Sequence, residues 1–328
     1  MKTSLPFHRL ALALAAAALG AAAPALAQDY PSRAINLVVG YPAGGSVDLT
    51  ARVLGEELSE RLNQSVVVEN LGGAGGTIGA QRVARAAADG YTLLVGSANE
   101  MVIAGMINNA VRYDGAKDFT PVGMIAAQPL LLTASAKSGV KTAQEYLDKL
   151  KAAAPGQYNY GSSGIGTSLH LAGEMINEST GTKAEHIPYR GVGPLVTDLI
   201  NGQLDFGVLV MSSGLPQVKG GKIVALGVTE PQRSAVAPDI PALAETPGFE
   251  KVDINVWFGL YGPAGLPEPV VQRLRTALDE TLQSESFRKK MAESGATVYE
   301  PGLDAAAFQA AETEKYERLV KMAGIEKH

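Results

Sequence analysis

Residues 35–62 read INLVVGYPAGGSVDLTARVLGEELSERL, a stretch in which an apolar run, a glycine-rich turn and an amphipathic segment follow one another. Ile35 to Val39 is apolar on both faces, which is typical of a strand in a buried parallel sheet. From Val47 to Asn63, apolar residues recur every three to four positions beneath a charged face, which predicts a crossover helix. This strand, turn and helix together indicate an α/β fold.

The same alternation continues along most of the chain. Val66 to Val68 and Thr92 to Val95 are predicted as further strands and Thr77 to Ala87 as a second helix, so the opening third predicts a right-handed β-α-β-α-β unit. In a second series, the predicted strands are Leu130–Thr133, Tyr158–Tyr160, His186–Tyr189, Phe206–Val210 and Ile223–Val228, and the predicted helices are Thr142–Ala154, Ser168–Thr180 and Pro194–Asn201. We therefore expect two doubly wound α/β lobes.

The length also favours two lobes. The 328 residues exceed the roughly 250–300 at which one hydrophobic core usually gives way to two. After a proline-rich stretch, strand Val256–Tyr261 and helices Pro269–Gln283, Ser286–Ser294 and Leu303–Met322 are predicted to return to the first lobe. We expect residues 28–127 and 249–328 to form lobe 1 and residues 128–248 to form lobe 2, with the crossings as a hinge around one ligand cleft.

The N-terminus has the pattern of an export signal. Lys2 and Arg9 precede an uncharged Ala/Leu-rich run, and Ala25-Leu26-Ala27 matches a signal-peptidase site, so we expect residues 1–27 to be removed. The run is too short to span a bilayer comfortably. Because the chain has no cysteine, the mature N-terminus cannot carry a lipid thioether. We expect an unlipidated protein of the periplasm.

Composition and motif spacing exclude several classes of function. The net charge is −5 and no basic run with interleaved aromatics occurs, so nucleic acid is not an expected partner. No His, Asp or Glu cluster has the spacing of a metal site, and we expect neither a metal nor another cofactor.

Two glycine-rich turns follow predicted strands, one in each lobe. The first, Tyr41-Pro42-Ala43-Gly44-Gly45-Ser46, ends at a residue type favoured as a helix N-cap; the second is Gly161-Ser162-Ser163-Gly164-Ile165-Gly166-Thr167. At the carboxyl ends of strands, such turns let backbone amides and a helix N-terminus contact an anion. Each turn taken alone is equally well explained as a tight connection, but their pairing favours a carboxylate site.

A third glycine-rich stretch, residues 72–79, superficially resembles a dinucleotide-binding fingerprint. Its spacing is G-x-G-x-x-x-G, which departs from the G-x-G-x-x-G pattern. We interpret it as a loop that lines the cleft or packs a helix against a strand.

A secreted serine hydrolase is the alternative from another class. Ser163 lacks the glycine that a G-x-S-x-G elbow needs two positions later, where Ile165 stands. His170 is the candidate base for this alternative, and it is also interpreted as a hydrogen-bond donor to the second turn or as a buried capping residue. His186 is interpreted as structural.

Three further residues have open roles. Arg190 either pairs with a ligand carboxylate or is an exposed loop arginine. Asp48 either faces the cleft or complements a helix N-terminus. Trp257, the only tryptophan, belongs to the cleft wall or to the core.

Together these stretches resemble the Bug family, the solute receptors of tripartite tricarboxylate transporters, along essentially the whole mature length. The matching segments are Tyr30–Arg33, Pro42–Asp48, Val67–Asn70, Gly73–Gly79, Asp89–Leu94, Tyr113–Asp114, Lys117–Val122, Gly161–His170, Pro188–Gly191 and Trp257–Leu260. The resemblance implies a type II periplasmic binding protein with a Venus-flytrap fold, which holds a small carboxylate mainly through backbone amides and bridging waters and performs no catalysis.

The resemblance also implies which residues contact the ligand. On this chain they are Ala43, Gly44, Gly45 and Ser46; Ser162, Ser163, Gly166 and Thr167; Gly76, Thr77 and Ile78; and Ser97, Asn99 and Glu100. The flanking residues Tyr41, Asp48, Gly164, His170, Arg190 and Val210 complete the predicted site.

Two departures from the family pattern bear on the ligand, which across the family ranges from tricarboxylates and dicarboxylates to acidic amino acids and aromatic carboxylates. Leu209-Val210 replaces a polar Asp-Asn pair, which predicts a more apolar cleft wall. Ala104-Gly105 stands where many relatives have Asn-Pro, which predicts a different start for the helix there. Apart from these departures, Glu100 either favours a ligand with an ammonium or ring N–H or is simply solvated. We expect a monocarboxylate or amino acid with an apolar body rather than citrate.

The expected partners follow from the same resemblance. Permease subunits in the inner membrane are the partners for a transport role, and a sensor kinase is the alternative for a signalling role. The receptor itself is expected to be a monomer.

Overall fold

The first lobe is built on the strand, turn and helix of residues 35–62. The computed structural model describes residues 30–154 and 156–327, so the predicted signal segment 1–27 lies outside the described residues. Strand β1 (Ile35–Val39), helix α1 (Ser46–Leu62), strand β2 (Val66–Asn70), helix α2 (Thr77–Ala84) and strand β3 (Thr92–Ser97) follow in order. The three strands pair in parallel, with β1 between β2 and β3. The predicted β-α-β-α-β unit is confirmed.

Strand β2 differs from its prediction as a strand buried on both faces. It pairs only with β1, and the side chain of Val67 is 55% exposed. An edge strand keeps one side open to solvent, which an apolar pattern alone does not reveal. After β3, residues Asn99–Ile103 form a π-helical turn that leads directly into the short helix α3 (Ala104–Ile107).

One long strand connects the lobes. Strand β4 (Phe119–Ser135) pairs in its first half with β9 (Asn255–Pro263) and β10 (Thr297–Val298), and in its second half with β7 and β8 of the second lobe. The sequence predicted only Leu130–Thr133. Irregularities between Pro121 and Gly123 and between Met124 and Ala126 break the regular alternation, which hides the first half of the strand.

The second lobe repeats the alternation of strands and helices. Its elements are α4 (Ala143–Ala152), β5 (Asn159–Ser162), α5 (Ser168–Thr180), β6 (Glu185–Pro188), α6 (Val192–Asn201), β7 (Phe206–Val210), α7 (Met211–Lys219) and β8 (Ile223–Val228). Strand β5 lies between β6 and β7 and is parallel to both. Helix α7 was not predicted, because Gly214 and Pro216 are poor helix formers within its nine residues.

The C-terminal elements pack against the first lobe, and the last helix also contacts the second lobe, where the Tyr316 hydroxyl lies 3.3 Å from that of Ser168. They are β9, α8 (Glu268–Gln283), α9 (Glu285–Glu293), β10 and α10 (Ala305–Met322). Strand β9 is antiparallel to both β3 and β4, and Lys290 of α9 forms an ion pair with Glu56 of α1 at 2.8 Å. Trp257 is fully buried and its Nε1 donates to Glu312 at 3.0 Å, so it is a core residue.

The order of the strands in the sheet indicates where the candidate site lies. Its order is β2-β1-β3-β9-β4-β7-β5-β6, with β8 and β10 also paired to β4. In open sheets of this type, ligands bind beyond the carboxyl ends of the parallel strands. No helix in residues 30–154 or 156–327 is both long and apolar enough to cross a membrane.

Candidate functional site

Loop 1, residues 40–45, follows β1 and is held in place by one buried carboxylate. Asp48 is 3% exposed and accepts hydrogen bonds from the Gly44 amide at 2.8 Å and from Asn70 Nδ2 at 2.9 Å. Arg52, one helical turn later, binds both carboxylate oxygens, each at 3.0 Å. Asp48 therefore holds loop 1 in place, and the Gly44 amide is already hydrogen-bonded within the protein.

The charge state of Asp48 follows from these contacts. Burial alone would raise its pKa, but the hydrogen bonds from Arg52, Gly44 and Asn70 outweigh burial and hold the pKa below its ordinary value of 3.8. The carboxylate is therefore ionised at neutral pH.

The start of α1 differs from the prediction by one residue. Gly45 is the N-cap, and Ser46, the predicted N-cap, is the first helical residue without a side-chain cap. The first-turn amides of a helix have no acceptor within the helix, so those of Ser46 and Val47 are available to an anion. A Cβ at Gly45 would lie 3.8 Å from its nearest neighbour, the carbonyl oxygen of Pro42, so the backbone here is open.

Loop 2, residues 163–167, is held by two histidines. His186 Nε2 lies 2.6 Å from the Ser162 hydroxyl at the end of β5, and the Gly166 amide donates to His170 Nδ1 at 3.0 Å. The two imidazole rings stack at 3.8 Å between centroids and 14° between planes. The interpretation of His170 as a donor to this loop is wrong, because its Nδ1 accepts. The alternative interpretation, a buried capping residue, agrees with its 7% exposure and with its hydrogen bond to an amide beside the start of α5. His186 contacts the Ser162 hydroxyl as well as pairing in β6.

Both histidines are neutral at pH 7. Burial lowers the pKa of His170 to about 4, and burial together with the neighbouring imidazole lowers that of His186 to about 3. A base of such low pKa is poorly suited to activate a hydroxyl near neutral pH. The serine within reach of an imidazole is Ser162 and not Ser163, so the geometry does not support the hydrolase pair Ser163–His170.

The lobes meet below the loops. Asn99 Oδ1 accepts from the amide and the hydroxyl of Ser168, the first residue of α5, at 3.0 and 3.1 Å. Gly166 has a φ of +72°, and a Cβ there would lie 1.8 Å from Ile107 Cδ1 of the other lobe. Glycine is required at this position by both the backbone conformation and the close approach.

Tyr41 connects loop 1 to this junction. Its hydroxyl donates to Glu100 Oε2 at 2.6 Å and accepts from Asn99 Nδ2 at 3.3 Å. Glu100 is 1% exposed, so it is neither solvated nor open to a ligand ammonium, and both readings of this residue are wrong. Its carboxylate, together with the Tyr41 and Ser97 side chains that donate to it, forms the floor beneath the loops.

The third glycine-rich stretch packs helix against strand and also reaches this floor. A Cβ at Gly79 would lie 2.8 Å from the Cα of Gly40, while one at Gly76 would lie 2.8 Å from Glu100 Oε2. Gly76 also has a φ of +96°. The packing interpretation of the stretch is therefore supported, and its role as a lining of the cleft stays a prediction.

The predicted site residues divide by exposure. Exposed or half-buried are Tyr41, Ala43, Gly44, Gly45, Ser46, Ile78, Asn99, Ser163, Gly164 and Arg190. Buried are Asp48, Gly76, Thr77, Ser97, Glu100, Ser162, Gly166, Thr167, His170 and Val210. Residues of the first group can contact a ligand, and residues of the second group lie within the protein and support the first group.

The predicted apolar wall is wrong for Leu209. Its side chain is fully buried among Leu195, Leu204 and Ile223 in the second lobe. Arg190, in contrast, is exposed, and no hydrogen bond or ion pair to another described residue involves it. The carbonyl of the preceding residue, Tyr189, would lie 3.6 Å from a Cβ at Gly164, so the backbone before Arg190 passes beside loop 2.

Sequence reasoning missed the partners that hold the loops. Arg52, Asn70, His186 and Ser168 were not among the predicted site residues. The spacing of Asp48 and Arg52, four apart on a helix, was a usable signal. The contact between Asn99 and Ser168 joins residues 69 positions apart, and no local pattern predicts it.

Comparison with known proteins agrees with this architecture. Residues 50–325 match the family model described as tripartite tricarboxylate transporter family receptor. The chain is 35% identical over 282 residues to Protein BugT of Bordetella pertussis, covering 86% of each chain.

Solved structures agree as well. The R. palustris protein Rpa4515 with adipate aligns with a TM-score of 0.86 at 31% identity, covering 92% of this chain and all of its own. MatC of Rhodopseudomonas palustris with bound malate aligns with a TM-score of 0.80 at 30% identity, covering 89% of this chain and all of its own. The predicted family resemblance and the two-lobed α/β fold class are both confirmed.

Proposed function

Because the chain belongs to the family of tripartite tricarboxylate transporter receptors, we propose that it captures one small carboxylate between its two lobes and delivers it unchanged. The family is one of receptors and not of enzymes, in keeping with the prediction from sequence. Relatives that share the fold bind adipate and malate, which are dicarboxylates.

The observation that carries this proposal is the open backbone at the start of α1. Gly44 and Gly45 present no side chains, and the first-turn amides of α1 point outward with the positive end of the helix dipole. Asp48 holds the turn in this shape while Arg52 neutralises its charge. A ligand carboxylate at this position gains charge-assisted hydrogen bonds without needing a buried cation.

The second lobe contributes fewer donors than the resemblance implied. The amides of Gly164, Gly166 and Thr167 are occupied by Ser162, His170 and the Gly164 carbonyl. We assign the second-lobe contacts to Ser163, whose hydroxyl is half-exposed, and to the guanidinium of Arg190. Ser162 and His170 act by holding the loop, and Val210 is a core residue.

Closure of the cleft follows from the strand crossing. We place the hinge at the middle of β4 and at the start of β9, so that residues 28–127 and 249–328 move against residues 128–248. The contacts Asn99–Ser168 and Ile107–Gly166 each join one lobe to the other and close the base of the cleft.

The biological setting belongs to the same proposal. We place the mature protein in the periplasm after removal of residues 1–27, as a monomer that passes its ligand to permease subunits of the inner membrane. Presentation of the closed form to a sensor kinase is the second candidate role, and it uses the same cleft.

The ligand is proposed only as a small carboxylate. The preference for an apolar body rested on Leu209-Val210 and that for an amino acid on Glu100, but all three residues are buried. Adipate and malate are the first probes, because related structures hold them.

A thermal-shift screen tests the proposal. The mature protein is unfolded and refolded to remove carried ligand, then screened against dicarboxylates, tricarboxylates, amino acids and pyridine carboxylates. A ligand at about 100 times its Kd adds about 2.7 kcal/mol to the free energy of unfolding. The absence of any shift across these carboxylates would contradict the proposal.

Gly45→Val localises the binding site. A Cβ at Gly45 meets no atom closer than 3.8 Å, but valine is less favoured than glycine as an N-cap, so we expect a slightly lower melting temperature without ligand and no shift with ligand. Ala310→Val is the control, because Ala310 is an exposed residue of α10 outside both loops. Unimpaired binding by Gly45→Val would place the site elsewhere.

A further inference from the structure

Glu100 is a buried carboxylate that the proposed binding chemistry does not use. It is 1% exposed at the start of the π-helical turn after β3. Oε1 accepts from the Ser97 amide at 2.7 Å, while Oε2 accepts from the Ser97 and Tyr41 hydroxyls, both at 2.6 Å. Every one of these donors is neutral.

The elements packed around Glu100 add no counter-charge. Tyr41 follows β1, Tyr113 precedes β4 and donates to the Glu100 carbonyl at 2.7 Å, and Tyr261 lies on β9. Burial and the nearby carboxylate raise the pKa of all three tyrosines, so they stay neutral. Among residues 30–154 and 156–327, no lysine, arginine or histidine forms an ion pair with Glu100.

The carboxylate lies directly beneath the ligand-facing loops. Tyr41 belongs to loop 1, and a Cβ at Gly76 would lie 2.8 Å from Oε2. Through the Tyr41 hydroxyl and the Asn99 amide, hydrogen bonds extend from Glu100 to the first amide of α5 in the second lobe. A negative charge at Glu100 is therefore close to both sides of the proposed site.

We propose that capture of an anionic ligand in this cleft is coupled to the uptake of a proton from solvent by Glu100. The inference rests on the proposed function, because it requires a carboxylate above loop 1. Two carboxylates in one poorly solvated region repel each other, so the bound anion favours the protonated form of Glu100. By reciprocity, protonation of Glu100 strengthens ligand binding.

Two further features support this coupling. Burial raises the pKa of Glu100 to about 7, against the opposing effect of the hydrogen bonds from Ser97 and Tyr41, so its proton occupancy changes near neutral pH. The Tyr41 hydroxyl also has a second acceptor, the Gly75 carbonyl at 3.0 Å. When Glu100 is protonated it donates to Tyr41, and Tyr41 then donates to Gly75.

Isothermal titration with adipate measures the proton directly. Titrations at pH 7 in buffers of different ionisation enthalpy give the number of protons taken up for each ligand bound. If the ligand raises the pKa of Glu100 by about one unit, uptake is about 0.4 proton at pH 7, and Kd weakens about fivefold from pH 7 to pH 9.

Glu100→Gln tests whether the proton taken up on ligand binding is bound by Glu100 or by another group. Glutamine keeps the size of the side chain and an acceptor for Tyr41 but cannot ionise, so we expect uptake near zero and a flat Kd between pH 7 and pH 9. Glu230→Gln is the matched control, since burial also raises the pKa of Glu230 but its partner is Asn255, outside the loops. This control should retain the uptake of the native protein.

The outcomes distinguish the two proposals. Adipate binding without proton uptake in the native protein would overturn the coupling and leave the receptor function standing. Proton release, or uptake that survives Glu100→Gln, would also overturn it. If no carboxylate of the thermal-shift screen binds, the receptor proposal itself fails.

Discussion

Loops 1 and 2 are both glycine-rich, but different interactions hold them in place. Loop 1 is largely exposed and is tied down by an ion pair, since Asp48 accepts from Gly44 and is neutralised by Arg52. Loop 2 is anchored by neutral rings, with His186 at Ser162 and His170 at Gly166. Both arrangements keep a glycine-rich turn rigid, and rigid turns bind ligands at a lower entropic cost.

The difference teaches that the glycine-rich pattern specifies an open turn but not what holds it. The exposed turn of loop 1 can use a charged support, because Arg52 neutralises the buried carboxylate of Asp48. In loop 2 the amide to be held, that of Gly166, is buried, and an unpaired charge there would be costly. Neutral imidazoles supply an acceptor and a hydrogen-bond partner without that cost. The two supports should therefore fail under different conditions.

The largest expected difference is the response to acid. The folded protein holds His170 and His186 at pKa values of about 4 and about 3, below the ordinary 6.5. Between pH 6.5 and pH 4 the unfolded chain binds more protons than the folded protein. Lowering the pH therefore lowers the free energy of unfolding by about 1.4 kcal/mol per pH unit for each histidine. The support of loop 1 is lost only below about pH 3.8, as Asp48 protonates.

Urea unfolding followed by the fluorescence of Trp257 at pH 7, 6 and 5 measures this difference. The variant His170→Asn/His186→Asn should lose the histidine part of the slope. Glu100 titrates in the same range with the opposite sign, but it is present in both proteins and cancels in the comparison. Parallel slopes for the two proteins would contradict the role of the imidazoles.

The support of loop 1 should show the next largest effect. Asp48→Ala removes the acceptor of Gly44 and Asn70 in a buried position, so we expect a loss of about 3 kcal/mol in the free energy of unfolding at pH 7. Asp48→Asn keeps an oxygen for the Gly44 amide and should lose clearly less. Equal losses in urea titrations of the two variants would show that the hydrogen bond to Gly44 does not matter.

Loop 2 offers a similar pair of variants with a smaller effect. His170→Leu leaves the buried Gly166 amide without an acceptor, and we expect a loss of about 2 kcal/mol. The Oδ1 atom of His170→Asn can occupy the position of Nδ1 and accept the same hydrogen bond. We expect this variant to retain most of the stability and of the adipate affinity. If leucine and asparagine behave alike by urea unfolding and calorimetry, the ring acts only by filling space.

The smallest expected effect on stability is that of Ser163→Ala. The hydroxyl is half-exposed, so the free energy of unfolding should change by less than about 0.5 kcal/mol. Loss of one ligand hydrogen bond should weaken adipate binding by about three- to tenfold in calorimetry. An unchanged Kd would remove Ser163 from the site and leave Arg190 as the second-lobe contact.

The sequence predicted regular elements well and irregular ones poorly. Helix α5 and strands β7 and β8 have the predicted bounds, since each has clear periodicity and a clear end. The first half of β4 was missed because its bulges disturb the alternation, and α7 because glycine and proline interrupt it. In both cases contacts with distant segments stabilise a conformation that the local sequence does not favour.

The candidate site was likewise predicted in part and missed in part. The positions of both loops followed from glycines after strands, but the roles of Glu100 and Leu209 did not. Both were assigned to the cleft by their place in the chain, whereas the fold buries both. A residue one position along a strand or turn faces the opposite side, so sequence neighbourhood alone does not determine exposure.

By itself, the sequence determined the α/β class, the two glycine-rich turns and the family resemblance, because these depend on local periodicity and on residue types with few substitutes. Only the tertiary structure decided which side chains reach the cleft and which ones support it. The supports join residues that are distant along the chain, such as Asn99 with Ser168 and Ser162 with His186. Such pairs form only when the packed sheet brings their strands and helices together, and no local pattern contains that information.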